Sequence, residues 1–413
     1  MTKKERKNST KNNSEEVDIL EQYVNMYPDT NVYIKNIDRS KKSKIAEFLE
    51  ILYRYIDADT IINRLDHEGY KFGMVECLEN HSHKQKEYGQ VVQEAMPKSA
   101  MPPEYESDEM VSVKDAFYEY VVNDSPDSVI LRYLREADWD ADLAMNRLLD
   151  TLAWRTKSKI DELNWYGESI ANLRYMQRGV AIINGRDKLG RPIVYINLSR
   201  IYPSEQTLLA NLAGTILTME RARSYLTRDI QKVCLIVDVK EMSSKNYDIT
   251  YYRLFLRFLC NYYPECLGAV LVYSESWLFR GVWLVAKNYI HANVVAKVRF
   301  VKNFKELSLY IDKEELLEKY GGENSYDFKY VIPTEDENVH MYDRKGAEEV
   351  KNKYIDSLST YLDNLKRWAS EEYDTDEEEN AMDRLEAEVV DFLEVNRTYK
   401  KYIVAKTIKE RVL

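Results

Sequence analysis

Between Lys44 and Ile56, apolar residues recur at Ile45, Phe48, Leu49, Leu52, Tyr53 and Ile56. That i, i+3, i+4, i+7 spacing predicts a helix with one buried face. A second short helix is expected from the capping residues Asp59-Thr60, carrying Ile61, Ile62 and Leu65. From Glu79 to Met110 the pattern dissolves into His, Lys, Pro and Ser, as in a linker or long loop. Helical periodicity returns over Val113–Val122. Ser125-Pro126-Asp127 then offers a cap followed by proline at the first helical position, ahead of Val129, Ile130, Tyr133 and Leu134. A helix over 141–157 presents Leu143, Ala144, Leu148, Leu152 and Trp154. Together these segments predict a small helical bundle ahead of the main domain.

Near Gly179 the period changes. Val180–Ile183 and Ile193–Leu198 are apolar runs separated by a Gly- and Pro-containing loop, which predicts a β-hairpin. That loop joins strand to strand and opens no helix, so it is not a phosphate cradle. Next come an amphipathic helix over 207–226, a buried strand Val233–Val239 that contains Asp238, a helix over 247–263 and a strand Leu267–Tyr273. A helix over 277–290, a strand Val298–Val301 and two short helices over 304–311 and 314–320 follow, stopped by Gly321-Gly322. Alternating strands and helices call for an α/β fold with a mainly parallel, helix-covered sheet. Beyond Pro333 a helical stripe (Val350, Tyr354, Leu358, Tyr361, Leu365) is separated from a last helix (Leu385, Val389, Phe392, Leu393, Val395) by the acidic run Glu371–Glu379, expected to be a solvated linker. The two apolar stripes must be buried, on the body or on a partner protein.

Charge and composition narrow the function. A net charge of −11 argues against a nucleic-acid partner. Residues 1–17 are polar, lysine-rich and aperiodic, which predicts a disordered tail rather than a secretory signal. Cys77, Cys234, Cys260 and Cys266 form no CxxC pair, consistent with free thiols in a reducing, cytoplasmic setting. No run of about 18 apolar residues exists, so membrane contact would be peripheral. His81 and His83 have no further ligand types nearby, which disfavours a metal site, and no GxSxG, HExxH or P-loop motif points to catalysis. The expected divisions are the tail, a helical extension and linker over 18–110, a helical subdomain over 111–165, the α/β domain over 166–333 and a charged helical tail over 334–413.

The chemistry concentrates between Asn261 and Lys302. Over 277–290 almost every helical face is apolar: Leu278, Val282, Val285 and Ala286 on one side, Trp277, Phe279 and Trp283 over much of the rest. Such a helix is either buried all round or meets lipid. Glu265 and Lys297 flank it. They are either a surface ion pair of little consequence or the polar mouth of a dry pocket.

Five motifs in order carry a resemblance: Leu131-Arg132-Tyr133-Leu134-Arg135 with Trp139-Asp140; Gly190-Arg191-Pro192-Ile193-Val194-Tyr195; Tyr262-Tyr263-Pro264-Glu265-Cys266-Leu267-Gly268; Lys297 before Phe300; and Gly321-Gly322. Over 113–333 the chain resembles the CRAL-TRIO lipid-binding family. Ser276-Trp277-Leu278-Phe279, Lys287-Asn288-Tyr289 and Gly321-Gly322-Glu323-Asn324 are similar to the longer fungal phosphatidylinositol transfer proteins. The resemblance implies a helix-covered sheet with a hydrophobic pocket, a gate helix and a helical N-terminal subdomain. It implies one bound lipid, no other cofactor, no enzymatic activity and transient contact with a membrane such as endoplasmic reticulum, endosome or lipid droplet. Glu265 and Lys297 would hold the headgroup, Arg132 and Arg135 assisting. Trp277, Leu278, Phe279, Val282, Trp283, Val285 and Ile290, with Val233, Leu235 and Val294, would form gate and pocket. Glu136-Ala137-Asp138 stands where the family carries a basic run, which lowers positive charge near a phosphate and leaves a sterol or other neutral lipid as an alternative. Val233 and Leu235 replace the hydroxyls that recognise choline lipid, so phosphatidylcholine is not expected. A scaffold that binds a partner through its terminal helices is the remaining alternative.

Overall fold

The computed structural model describes residues 34–62, 102–106, 110–170, 173–274, 283, 287 and 292–412. Helix α1 (Arg39–Asp57) starts at an Asp38 cap that accepts from the Lys41 amide, and it buries the predicted Ile45, Phe48, Leu49 and Leu52. Of the second helix expected from Asp59-Thr60, only Ile61 and Ile62 lie among the described residues, and Ile61 is not yet helical. That residue instead bridges Ser112, and the Ile62 amide donates to the Val111 carbonyl, tying the extension to the start of α2 (Val113–Val121). Helix α3 (Pro126–Glu136) carries proline at its N-terminus as expected. In α4 (Ala141–Lys157), Met145 and Leu149 are buried whereas Leu143, expected in the core, is exposed.

The tail folds back onto this bundle. Helices α9 (Arg344–Ser370) and α10 (Thr375–Ile403) bury Tyr354, Leu358, Tyr361, Leu365, Leu385, Val389 and Phe392 in one core with residues of α1–α4. Their apolar stripes are therefore covered by this chain itself. The acidic run is not a free linker: Asp374 caps α10 in a reciprocal box with Glu377, and Asp376, Glu377 and Glu378 form its first turn. Carboxylates there meet the positive end of the helix dipole and the first unpaired amides. Glu378 also binds Lys42 at 2.7 Å.

The second half is a five-stranded sheet in the order β1 (Ala181–Arg186), β2 (Pro192–Asn197), β3 (Val233–Asp238), β4 (Leu267–Tyr273) and β5 (Val298–Val301). The expected hairpin makes β1 antiparallel to β2, and the remaining pairs are parallel. The register aligns Val194 with Leu235, Leu235 with Val270 and Val270 with Val298, one row across one face. Helices α7 (Leu208–Arg223) and α8 (Ile249–Tyr262) lie on that face, after the short α5 (Ile160–Tyr166) and α6 (Leu173–Gln177). The opposite face is covered mainly by the segment 304–320 through Leu307, Ile311, Leu316 and Tyr320. The two helices expected there shrink to single turns, Phe304–Leu307 and Glu318–Tyr320, because Leu317 leaves the helical path to bridge Asn324.

Candidate functional site

The Tyr262-Tyr263-Pro264-Glu265 turn gives each side chain a separate task. Tyr262 stacks on Trp154 of α4, ring centroids 4.4 Å apart. The Tyr263 hydroxyl donates to Glu220 at 2.9 Å. Pro264 cannot extend α8, and Glu265 takes a left-handed backbone, φ +57°. For a non-glycine residue this costs about 1–2 kcal/mol. The turn thus anchors to the helical subdomain while it aims one carboxylate outward. Gly268, which closes the motif, has a steric reason: a Cβ there would lie 2.4 Å from the guanidinium of Arg191. Arg191 is itself fully buried and paired with Asp187 at 2.7 Å. Two of the recognised motifs therefore require each other.

Around Glu265 the fold assembles a cationic cluster. Arg135, at the end of α3, lies 3.4 Å from its carboxylate and donates to Gln231 at 3.1 Å. Lys232 lies 3.8 Å away. Lys297 donates to the Leu267 carbonyl at 2.6 Å. Burial raises the Glu265 pKa, but the fields of Lys232, Arg135 and Lys297 outweigh it and hold the carboxyl below its usual range. Lys232 and Lys297 immediately precede β3 and β5, and Glu265 lies two residues before the start of β4. Parallel pairing is what brings together residues that lie more than sixty positions apart. The cluster thus sits at the amino ends of the strands, opposite the end where open α/β sheets usually bind ligands. At the carboxyl ends, Asp238 accepts from Lys319 at 2.8 Å and Tyr320 at 3.0 Å, a structural contact.

Arg132 goes elsewhere. It is fully buried and paired with Asp124 at 2.6 Å. It belongs to a network in which Glu220 accepts from Arg155 at 2.9 Å and Arg223 at 3.2 Å, and Arg223 reaches Asp124 at 3.5 Å. This network joins the helical bundle to α7. Breaking one member would strand a buried charge and cost about 3–5 kcal/mol. Lys232, by contrast, escaped the sequence reading. The signal was available in its place directly before an apolar strand.

Between the sheet and α7–α8 lies a cavity of about 210 Å³. Val194, Val233, Leu235, Val270 and Val272 floor it, Met219 and Leu259 roof it, and Val294 and Trp283 lie at its edge. Tyr263, Cys266 and Leu267 line it as well, so the cavity reaches the residues beside Glu265. Trp283 packs edge-on against Phe300 of β5, centroids 5.9 Å apart. Trp277, Leu278, Phe279, Val282, Val285 and Ile290 lie outside the described residues, as do His81, His83 and Cys77. Among the described residues no group of three metal-ligating side chains occurs, and no helix is long and apolar enough to cross a membrane. Cys234, Cys260 and Cys266 form no disulfide with one another.

Residues 82–150 match the CRAL/TRIO N-terminal domain and residues 176–322 match the CRAL/TRIO domain. The chain belongs to the CRAL-TRIO family. It is 27% identical over 308 residues to a CRAL-TRIO domain-containing protein of Schizosaccharomyces pombe, covering 72% of this chain and 67% of that protein. It is 27% identical over 279 residues to phosphatidylinositol transfer protein CSR1 of Eremothecium gossypii, covering 65% of this chain and 63% of the relative. The match therefore spans about two thirds of these relatives' own length. The crystal structure of Sfh5 aligns at TM-score 0.43 and 15% identity, covering 66% of this chain and 94% of that one, too loose a likeness to weigh in the assignment. The two family domains and the five-stranded sheet with its helical N-terminal subdomain agree on the CRAL-TRIO lipid-binding fold.

Proposed function

We propose that this CRAL-TRIO protein binds one molecule of phosphatidylinositol and carries it between membranes, acting as a carrier and not as a catalyst. The observation that carries the reading is an apolar cavity lined by Val233, Cys266 and Val298, the chain neighbours of Lys232, Glu265 and Lys297, which with Arg135 form a half-buried cationic cluster. The cavity suits acyl chains and the cluster suits a phosphate. The similarity to a phosphatidylinositol transfer protein supports the same choice of lipid.

Energetics give the arrangement a purpose. Each methylene exposed to water costs about 0.8 kcal/mol, so a lipid with about 30 methylenes faces roughly 24 kcal/mol on leaving a bilayer unaided. A pocket that opens only at the membrane exchanges one dry environment for another. In this proposal the segment 277–290 is the gate, Lys297 holds the headgroup phosphate, and Glu265 positions Lys297 and Arg135. The protein works in the cytoplasm and touches membranes transiently.

One feature favours a neutral sterol as a second reading. Glu265 and the neighbouring Glu136 offset much of the cluster's positive charge, and Arg132 is committed to Asp124. Mass spectrometry of lipid extracted from the purified protein separates the two. Stoichiometric phosphatidylinositol, with transfer abolished in Lys297→Glu, supports the first reading; a sterol whose loading survives Lys297→Glu replaces it.

A further inference from the structure

A second cavity, of about 300 Å³, lies between β1, α7 and the C-terminal residues Thr407 and Ile408. Its walls are largely apolar: Val180, Ile182, Ile183 and Leu217 among them. Tyr175, Val180, Ala181 and Thr218 also line the main cavity, so the two spaces share a wall. Among the described residues one cationic side chain lines this space, that of Arg221.

Arg221 is incompletely satisfied. It donates one bond, Nη2 to the Ala405 carbonyl at 3.0 Å, and its buried Nε has no hydrogen-bond partner. Among the described residues no carboxylate lies within ion-pair distance of it. The one acid of the cavity wall among the described residues, Glu168, is already held by Arg411 at 2.7 Å, by the Tyr330 hydroxyl at 3.1 Å and by the Ile408 amide at 3.0 Å. The fully buried arginines nearby are paired: Arg223 and Arg155 with Glu220, and Arg132 with Asp124. Burial lowers the Arg221 pKa, and the fields of Glu410, Glu168, Glu220 and Tyr225 only partly oppose it. Lys400 is likewise pushed down to about 8 by burial and by the fields of Arg221 and Arg223. A partly buried cation with no direct ion pair is costly, and an anion that enters the cavity would reduce that cost.

We propose that this cavity is a second binding site, for a single-chain amphiphile whose carboxylate or phosphate head is received by Arg221. The head needs the guanidinium, and the apolar walls suit one acyl chain rather than an inorganic ion.

The test is fluorescence titration of the full-length protein with cis-parinaric acid and with its methyl ester. The acid is expected to bind, Arg221→Gln to weaken it about tenfold to a hundredfold, Arg221→Lys to retain most of it, and Lys319→Ala to leave it unchanged. Equal binding of acid and ester to the unmodified protein would overturn the site, and that comparison needs no variant to fold. Wild-type affinity in Arg221→Gln, or a loss in Lys319→Ala as large as in Arg221→Gln, would also overturn it. Competition by lysophosphatidate extends the head to phosphate; its failure to compete restricts the head to carboxylate. Both results support the site.

Discussion

On one face of the sheet, Ile193, Cys234, Ile236, Ala269 and Leu271 are between 0% and 1% exposed, closed in by the strap of residues 304–320. On the other face, Val194, Val233, Leu235, Val270 and Val272 are 2–9% exposed and look into the cavity beneath α7 and α8. The residue types are nearly the same. What differs is the covering element. The strap follows the sheet closely and drops Leu307, Ile311 and Leu316 into it, whereas two long helices joined to the sheet at their ends stand off from its middle. A buried apolar face thus becomes core or container according to what lies above it. The packed face bears the stability and the hollow face is left for a ligand.

The sharpest way to break this comparison is to truncate the packed face. Leu271→Ala should cost about 2–5 kcal/mol in urea unfolding, with the bound-lipid stoichiometry of the folded protein unchanged. A truncation that cost little would mean that this face is loose as well. Ligand removal acts on the other face: protein stripped of lipid should regain about 2.7 kcal/mol when ligand is restored at a hundred times Kd, read as a rise in thermal midpoint. Filling the hollow comes next. Leu235→Trp should shift stability by less than the roughly 1–3 kcal/mol that overpacking costs in a closed core, yet should displace lipid; a large stability loss with normal lipid loading would show that Leu235 faces no usable space. The smallest effect separates the two ends of the strands. Lys319 is about half exposed and pairs with Asp238, so Lys319→Ala should change stability by about 0–1 kcal/mol and leave lipid binding intact. Loss of binding in that variant would move the site to the carboxyl end of the sheet.

Much of the architecture was legible in the chain. Strands Leu267–Tyr273 and Val298–Val301 fall where short Val- and Leu-rich runs place them, because buried parallel strands need apolar residues on both faces. The stripes of the tail helices were readable as well, but their cover was not, since periodicity reports a buried face without naming its neighbour. The acidic run was misread because carboxylates that solvate a linker are the same residues that stabilise a helix start. Within the candidate site, Glu265, Arg135 and Lys297 come together, while Arg132, one helical turn before Arg135, points into the bundle and meets Asp124. Lys232 joined the cluster unannounced.

By itself the sequence determined the order of elements, the two-sided burial of β3 and β4, the turn that aims Glu265 and the family to which the chain belongs. Those features depend on local periodicity, turn chemistry and short motifs, which neighbouring residues specify. The tertiary structure alone decided which face of the sheet is hollow, which arginine remains near Glu265, and that Arg221 has no ion-pair partner among the described residues. Each of these depends on the distance between groups remote in the chain, and the energy of a charge or a void is fixed by what finally packs beside it.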